Sequence, residues 1–393
     1  MQNTAQRKIP FTFINHPLKF MIKRLIAGVL IASSAMIIIA FFTSSVAQTT
    51  PIVKAHHTPI GFKNNYAPLV TKSFGDFLRW RWEAMGIDKT PKTPTAIVAA
   101  DLGLLQSPHV PTVTWIGHAT ALVQANGLNV LVDPIFSDRA SPVQLFGPKR
   151  AQPPGVAMAD LPHIDAVLIS HNHYDHLDRN SVALLDEKAK SSGKTTLFFA
   201  PLGLKAWFNG IGIDSVVELD WWQNHTINGV EFHLTPVQHW SARSLNDRSH
   251  TLWGGWAVLG ADFHWYYAGD TGYSRDFADT AEHFATRHTE ALGGGFDLAL
   301  VPVGAYEPRW FMSQQHVNPM ESVRIHQDVG AKRSIGVHWG TFSLTDEPLD
   351  QPPRELAVAR QVLGVTEADF GLLAIGESRQ FAKRTAANAV VAR

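Results

Sequence analysis

His171-Asn172-His173-Tyr174-Asp175-His176 packs four metal-binding side chains into six residues, and no other run constrains the chain as tightly. It follows Ile164-Asp165-Ala166-Val167-Leu168-Ile169-Ser170, an apolar stretch that reads as a buried strand. Alternate side chains of an extended backbone share a face, so His171 and His173 are expected to point the same way. Beyond the strand the chain has to turn, which sends Asp175 and His176 toward a second point nearby. One short loop can thus give two ligands to each of two metal ions. Paired metals about 3.5–4 Å apart suit displacement at phosphorus or at a carbonyl carbon. With 19 histidines in the chain, a polar loop that gathers histidine by chance is the competing reading.

Later segments oppose chance. Apolar runs end in Pro236-Val237-Gln238-His239, in Tyr267-Ala268-Gly269-Asp270-Thr271-Gly272 and in Ile335-Gly336-Val337-His338-Trp339-Gly340. Each delivers one His or Asp at a strand end, where an enzyme with a parallel sheet builds its site. The candidate ligands become His171, His173, Asp175, His176, His239, Asp270 and His338, five His and two Asp. They suffice for two Zn²⁺ with positions left for water and substrate, and they also accommodate iron or manganese.

The 393 residues can form one large domain or two ordinary ones, and 12 Trp and 22 Phe are ample for a sizeable core. Lys+Arg and Asp+Glu both number 34, and the absence of a long basic block argues against a nucleic-acid partner. There is no cysteine, which removes a disulfide framework, a thiolate ligand and a cysteine nucleophile. Its absence costs nothing in an oxidising compartment.

Leu25 to Phe42 is an uncharged apolar run of 18 residues, preceded by Lys19, Lys23 and Arg24 and followed by small residues at Ser45 and Ala47. Residues 1–47 therefore read as a secretory signal or an uncleaved anchor, and Met21 offers an alternative start with a short basic n-region. This predicts an exported protein, periplasmic or anchored to the membrane and facing the periplasm. Residues 48–110 read as a polar lead-in that packs on the main domain. Within it, Phe74 to Trp82 mixes aromatics with arginine, which suits docking on the domain or a lipid headgroup boundary.

Residues 111–385 read as one catalytic domain. Strands are expected at Val113–Gln124 and Leu128–Val132, joined near Asn126-Gly127, then at 164–170, 196–200, 216–219, 230–237, 252–259, 264–268, 298–303, 334–338 and 372–381. Helices fit 181–190, 202–209, 275–291, 319–329 and 354–363. Two strand-rich halves, each closed by helices, predict an α/β fold: a four-layer αββα sandwich with the ligands along one sheet edge.

Longer motifs sharpen this reading. Trp115-Ile116-Gly117-His118-Ala119-Thr120, Asp133-Pro134-Ile135-Phe136-Ser137, Ser141-Pro142 through Gly147-Pro148-Lys149-Arg150 and Gly304-Ala305-Tyr306-Glu307-Pro308-Arg309-Trp310-Phe311 accompany the H-x-H-x-D-H run. Together they resemble the metallo-β-lactamase superfamily. Within it, residues from about 60 to 380 are similar to the N-acyl-phosphatidylethanolamine-hydrolysing phospholipases D and their bacterial relatives.

That resemblance implies one zinc held by His171, His173 and His239, a second held by Asp175, His176 and His338, and Asp270 bridging them. It implies hydrolysis of a phospholipid phosphodiester by a hydroxide shared between the two zinc ions, releasing N-acylethanolamine and phosphatidic acid at a membrane surface. Asp175 and Asp270 would be the carboxylates of this chemistry, and Gln315 and His316 would contact substrate. From the residues themselves, Asp178 fits either a partner that holds the free N–H of a ligand imidazole or a helix N-cap. His118 fits support of a strand end or contact with substrate, and Lys149 and Arg150 could attract a phosphate headgroup. A homodimer is compatible with the sequence. The alternatives are a lactonase or β-lactamase of the same fold, and a membrane-anchored envelope protein whose metal site is not catalytic.

Overall fold

A computed structural model describes residues 54–67 and 72–384. The expected signal or anchor and the first residues of the lead-in lie outside them. No helix among the described residues is long and apolar enough to cross a membrane.

The lead-in begins with a two-residue hairpin, His57–Thr58 (β1) and Gly61–Phe62 (β2). It is tied to the domain by Asp220, whose carboxylate lies 2.7 Å from His56 Nε2 and 3.0 Å from His57 Nε2. Ser73 caps the helix Phe74–Glu83, and Asp76 closes the capping box.

The first half supplies six strands of a seven-stranded sheet: Thr112–Gly117 (β3), Thr120–Ala125 (β4), Leu128–Val132 (β5), Ala166–Leu168 (β6), Leu197–Pro201 (β7) and Val216–Leu219 (β8). The second half follows with Asn224–Ile227 (β9), Val230–Thr235 (β10), Gly255–Leu259 (β11), His264–Tyr267 (β12), Leu298–Pro302 (β13), Ser334–Val337 (β14) and Phe370–Gly371 (β15). Ser378–Gln380 (β16) crosses back to pair with β3, giving the orders β16-β3-β4-β5-β6-β7-β8 and β15-β14-β13-β12-β11-β10-β9. Each sheet is parallel from β5 to β8 and from β12 to β15, where crossovers join the strands, and antiparallel elsewhere.

Side-chain alternation divides the core as a two-sheet sandwich requires. Val130 and Val132 of β5 join the cluster shared with the second sheet, where Phe199 stacks on Phe232 at 4.6 Å. Leu131, between them, faces outward with Val182 and Leu185 of the helix Arg179–Ser191. The helices Pro319–Asp328 and Gln351–Leu363 belong to the second half, and Pro319–Asp328 packs beside β13. The architecture is the expected α/β sandwich.

Three expected elements are corrected. Val113–Gln124 is a hairpin, because Gly117 and His118 take φ of 127° and 55° and fold the chain back after β3. The expected strand 372–381 shortens to β16, because the chain leaves one sheet after β15 and has to cross to the free edge of the other. The expected helix 275–291 stops at His283 and continues as two short 3₁₀ turns.

Candidate metal centre

Every ligand loop leaves a strand at the same edge of the sandwich. The 171–176 loop follows β6, His239 follows β10, Asp270 follows β12 and His338 follows β14. Non-glycine residues with positive φ gather on this edge: His118, Asp133, Ala305 and His338. Such conformations cost on the order of 1–3 kcal/mol each and persist where the surroundings over-determine them.

The side chains converge in two groups. His171 Nε2 lies 2.8 Å from His173 Nδ1, which lies 3.4 Å from His239 Nε2. Asp175 Oδ2 lies 3.2 Å from His338 Nε2 and 3.4 Å from His176 Nε2. Asp270 stands between the groups, with Oδ2 3.1 Å from His176 Nε2, 3.9 Å from His171 and 4.0 Å from His239, and Oδ1 3.2 Å from His338. The seven side chains lie together here, His171, His173 and His239 in one group and Asp175, His176 and His338 in the other, with Asp270 beside both.

The hydrogen bonds behind the ligands decide whether a cation fits. The Ser170 hydroxyl donates to Asp133 at 2.5 Å, so it accepts from His171 Nδ1–H at 2.9 Å and leaves His171 Nε2 with a bare lone pair. His176 Nδ1–H donates to Asp133 at 2.6 Å, and His239 Nδ1–H to the Gln315 carbonyl at 2.9 Å, which leaves both Nε2 atoms bare. Ring nitrogens and carboxylate oxygens that converge at such distances are what a bound cation demands, so the residues fit a metal.

Electrostatics agree. Burial pushes His171 well below its ordinary range, and pushes His173 and His239 down to about 3, so all three are neutral donors. Burial opposes charge at His338 too, but Asp270 and Asp175 raise it to about 9, and His176 is likewise raised well above its ordinary value. Asp175 and Asp270 are held well below the carboxylate range: burial works against the charged form, and His176, His338 and, for Asp175, His118 together outweigh it. A proton or a cation at this point answers the same demand of the two carboxylates.

The remaining candidates divide. His118 does more than end a strand: its buried Nε2 lies 3.0 Å from Asp175 Oδ2. His316 Nδ1 is buried, lacks a hydrogen-bond partner and lies 3.8 Å from Asp270 Oδ2. Gln315 reaches the site through its backbone carbonyl, because its side chain turns to Met312. Asp178 is an N-cap, accepting from Ser181 N and from the Ser181 hydroxyl. The carboxylate that holds a ligand imidazole is Asp133, which sequence reasoning passed over although Asp133-Pro134 ends a strand within a quoted motif. Arg150 is not available to a headgroup: its buried guanidinium donates to the carbonyls of Ile135, Ser137 and Gln152. Lys149 is exposed.

The lead-in packs on the segment that leads to Gln315 and His316. Trp80 stacks on Phe311 at 4.9 Å and donates to Asp346 at 3.0 Å, while Arg79 lies over the Trp310 ring at 4.4 Å. On the same helix Phe74, Leu78 and Trp82 are 74%, 51% and 75% exposed.

A family model described as the beta-lactamase superfamily domain matches residues 128–339. The chain is a hydrolase of the metallo-β-lactamase superfamily, and the group its ligands hold is a metal cofactor. Its similarity narrows to one branch: it is 40% identical over 278 residues to N-acyl-phosphatidylethanolamine-hydrolyzing phospholipase D 1 of Caenorhabditis elegans, covering 67% of this chain and 74% of that protein. It is 35% identical over 294 residues to the mitochondrial N-acyl-phosphatidylethanolamine-hydrolyzing phospholipase D of Saccharomyces cerevisiae, covering 70% of this chain and 60% of that one. The chain thus spans less than two thirds of the yeast relative. The crystal structure of an isothiocyanate hydrolase from Delia radicum gut bacteria shares the fold, with a TM-score of 0.53 at 19% identity over 69% of this chain and 99% of that one.

Proposed function

We propose that this protein is a dinuclear zinc phosphodiesterase of the phospholipase D type, which hydrolyses N-acyl-phosphatidylethanolamine to N-acylethanolamine and phosphatidic acid. The observation that carries it is the sharing of Asp270 between two trios of imidazole and carboxylate ligand atoms. An all-imidazole and carboxylate set suits zinc. Cations held by these residues would supply a water acidic enough to attack near neutral pH and a counter-charge for the phosphate oxygens.

The chain's own residues supply position. Asp270 spans both groups, and Asp133 and the Gln315 carbonyl hold the ligand rings in one tautomer. His316 offers an imidazole nitrogen beside Asp270 to a substrate oxygen. Ser170 is no nucleophile, because its hydroxyl is engaged by Asp133 and His171. Attack of water on phosphorus would break the bond to the ethanolamine oxygen, the water's hydroxyl staying on phosphorus and its remaining proton leaving on that oxygen. The phospholipid reading is supported by the relatives above and by the exposed aromatic side chains of the helix Phe74–Glu83. The same helix suits a phospholipid surface as partner, and with the 25–42 run it supports an exported protein working at the periplasmic membrane face.

The full-length chain, purified in detergent with zinc, should convert N-acyl-phosphatidylethanolamine into the two products by mass spectrometry, and His173→Ala and Asp270→Ala should abolish them. Intact substrate in the fully zinc-loaded protein would reject the lipid and turn attention to lactones and β-lactams. Recovery of the mature chain only from cytosol would reject the export reading.

A further inference from the structure

Glu347 is buried in the segment after His338, and its carboxylate collects four donors, none of them from a metal ligand. The backbone N–H groups of Ala305 and Tyr306 reach Oε1 at 2.6 and 3.2 Å, and that of Glu307 reaches Oε2 at 3.0 Å. The Thr345 hydroxyl donates to Oε2 at 2.7 Å. Successive N–H groups aimed at one anion form a nest, and the nest needs a left-handed residue, supplied by Ala305 with φ 64°. An alanine takes that conformation at a cost, so the carboxylate offsets strain in the turn.

This turn starts the loop that carries Gln315 and His316. Arg309, a few residues on, donates to the carbonyls of Tyr306 and His316 at 3.2 and 2.8 Å and pairs with Glu321 at 2.7 Å. The loop then presents the Gln315 carbonyl to His239 and the His316 ring to Asp270. Its origin is packed against the site as well: a Cβ on Gly304 would meet the His338 carbonyl oxygen at 2.4 Å.

We propose that Glu347 is a positioning residue of this site: it fixes the 305–307 turn and, through Arg309, sets where the His316 ring stands against Asp270. The inference rests on the hydrolytic site and not on which lipid it takes.

The test is a double-mutant cycle in the full-length zinc-loaded protein, using bis(p-nitrophenyl) phosphate as substrate. E347Q keeps the shape and removes the charge, and it should lower kcat by between about ten- and hundredfold with zinc content unchanged. In an H316A background the same change should cost much less, because both act through one ring. Equal losses in both backgrounds would overturn the proposal and leave Glu347 a structural residue. Amide hydrogen exchange supplies an arm independent of turnover. E347Q should speed exchange across 305–316 while 171–177 stays as protected as before. If the unaltered protein leaves the diester intact, the phosphodiesterase reading fails, and wild-type exchange rates across 305–316 in E347Q would reject the Glu347 proposal separately.

Discussion

The Asp133 carboxylate lies 2.6 Å from His176 Nδ1, so an acid at the end of one strand decides which nitrogen of a ligand imidazole is free. The same oxygen accepts from Ser170 and from the Tyr267 hydroxyl, both at 2.5 Å. Asp133→Asn replaces the acceptor with a group that can also donate, and it removes the charge that favours His176 Nδ1–H. Metal affinity should fall by about 10- to 100-fold. Zinc retained after dialysis against a graded chelator measures this, and retention equal to the parent would show that Asp133 is dispensable.

Asp178 makes the contrasting case. Its carboxylate caps the helix Arg179–Ser191, so Asp178→Ala should cost about 1 kcal/mol of stability. Zinc content and turnover per folded chain should be unchanged. Thermal unfolding alongside metal analysis separates this result from a loss at the site.

Metal binding should release protons. In metal-stripped protein His338 titrates at about 9, so stabilisation from its charged form is complete below the ordinary value of 6.5 and is lost as pH rises through about 9. A cation competes with that proton, so metal affinity should climb from neutrality toward about pH 9. Calorimetry in buffers of different ionisation enthalpy counts the protons directly. Removal of metal by chelation should also abolish activity and lower Tm, with both restored on adding zinc.

Trp82 is 75% exposed on the lead-in helix, so Trp82→Glu should leave folding and soluble-diester hydrolysis alone. Against vesicles carrying anionic phospholipid it should weaken co-sedimentation and raise the apparent KM for lipid. Unchanged binding would remove this helix from the membrane face.

The ligand set was legible because metal chemistry demands particular side chains, and because apolar runs ending in His239, Asp270 and His338 announce strand ends. What lies behind the ligands was far less legible. Asp133 and Asp178 are both aspartates near strand or helix ends, and only tertiary packing shows that the first holds His176 while the second caps a helix. The role of Gln315 depends on a carbonyl that every residue carries. The break at His118 rested on two positive φ angles inside a continuous apolar pattern, and the shortening of 372–381 depended on which sheet had a free edge.

Tyr267 belongs to β12 of one sheet and Asp133 follows β5 of the other, so their hydrogen bond crosses the sandwich directly beneath the metal ligands. The spacing of the two sheets and the aim of His176 are therefore one mechanical variable. A substitution deep in the inter-sheet core that shifts the layers would be read first as altered metal affinity, before any loss of fold became visible.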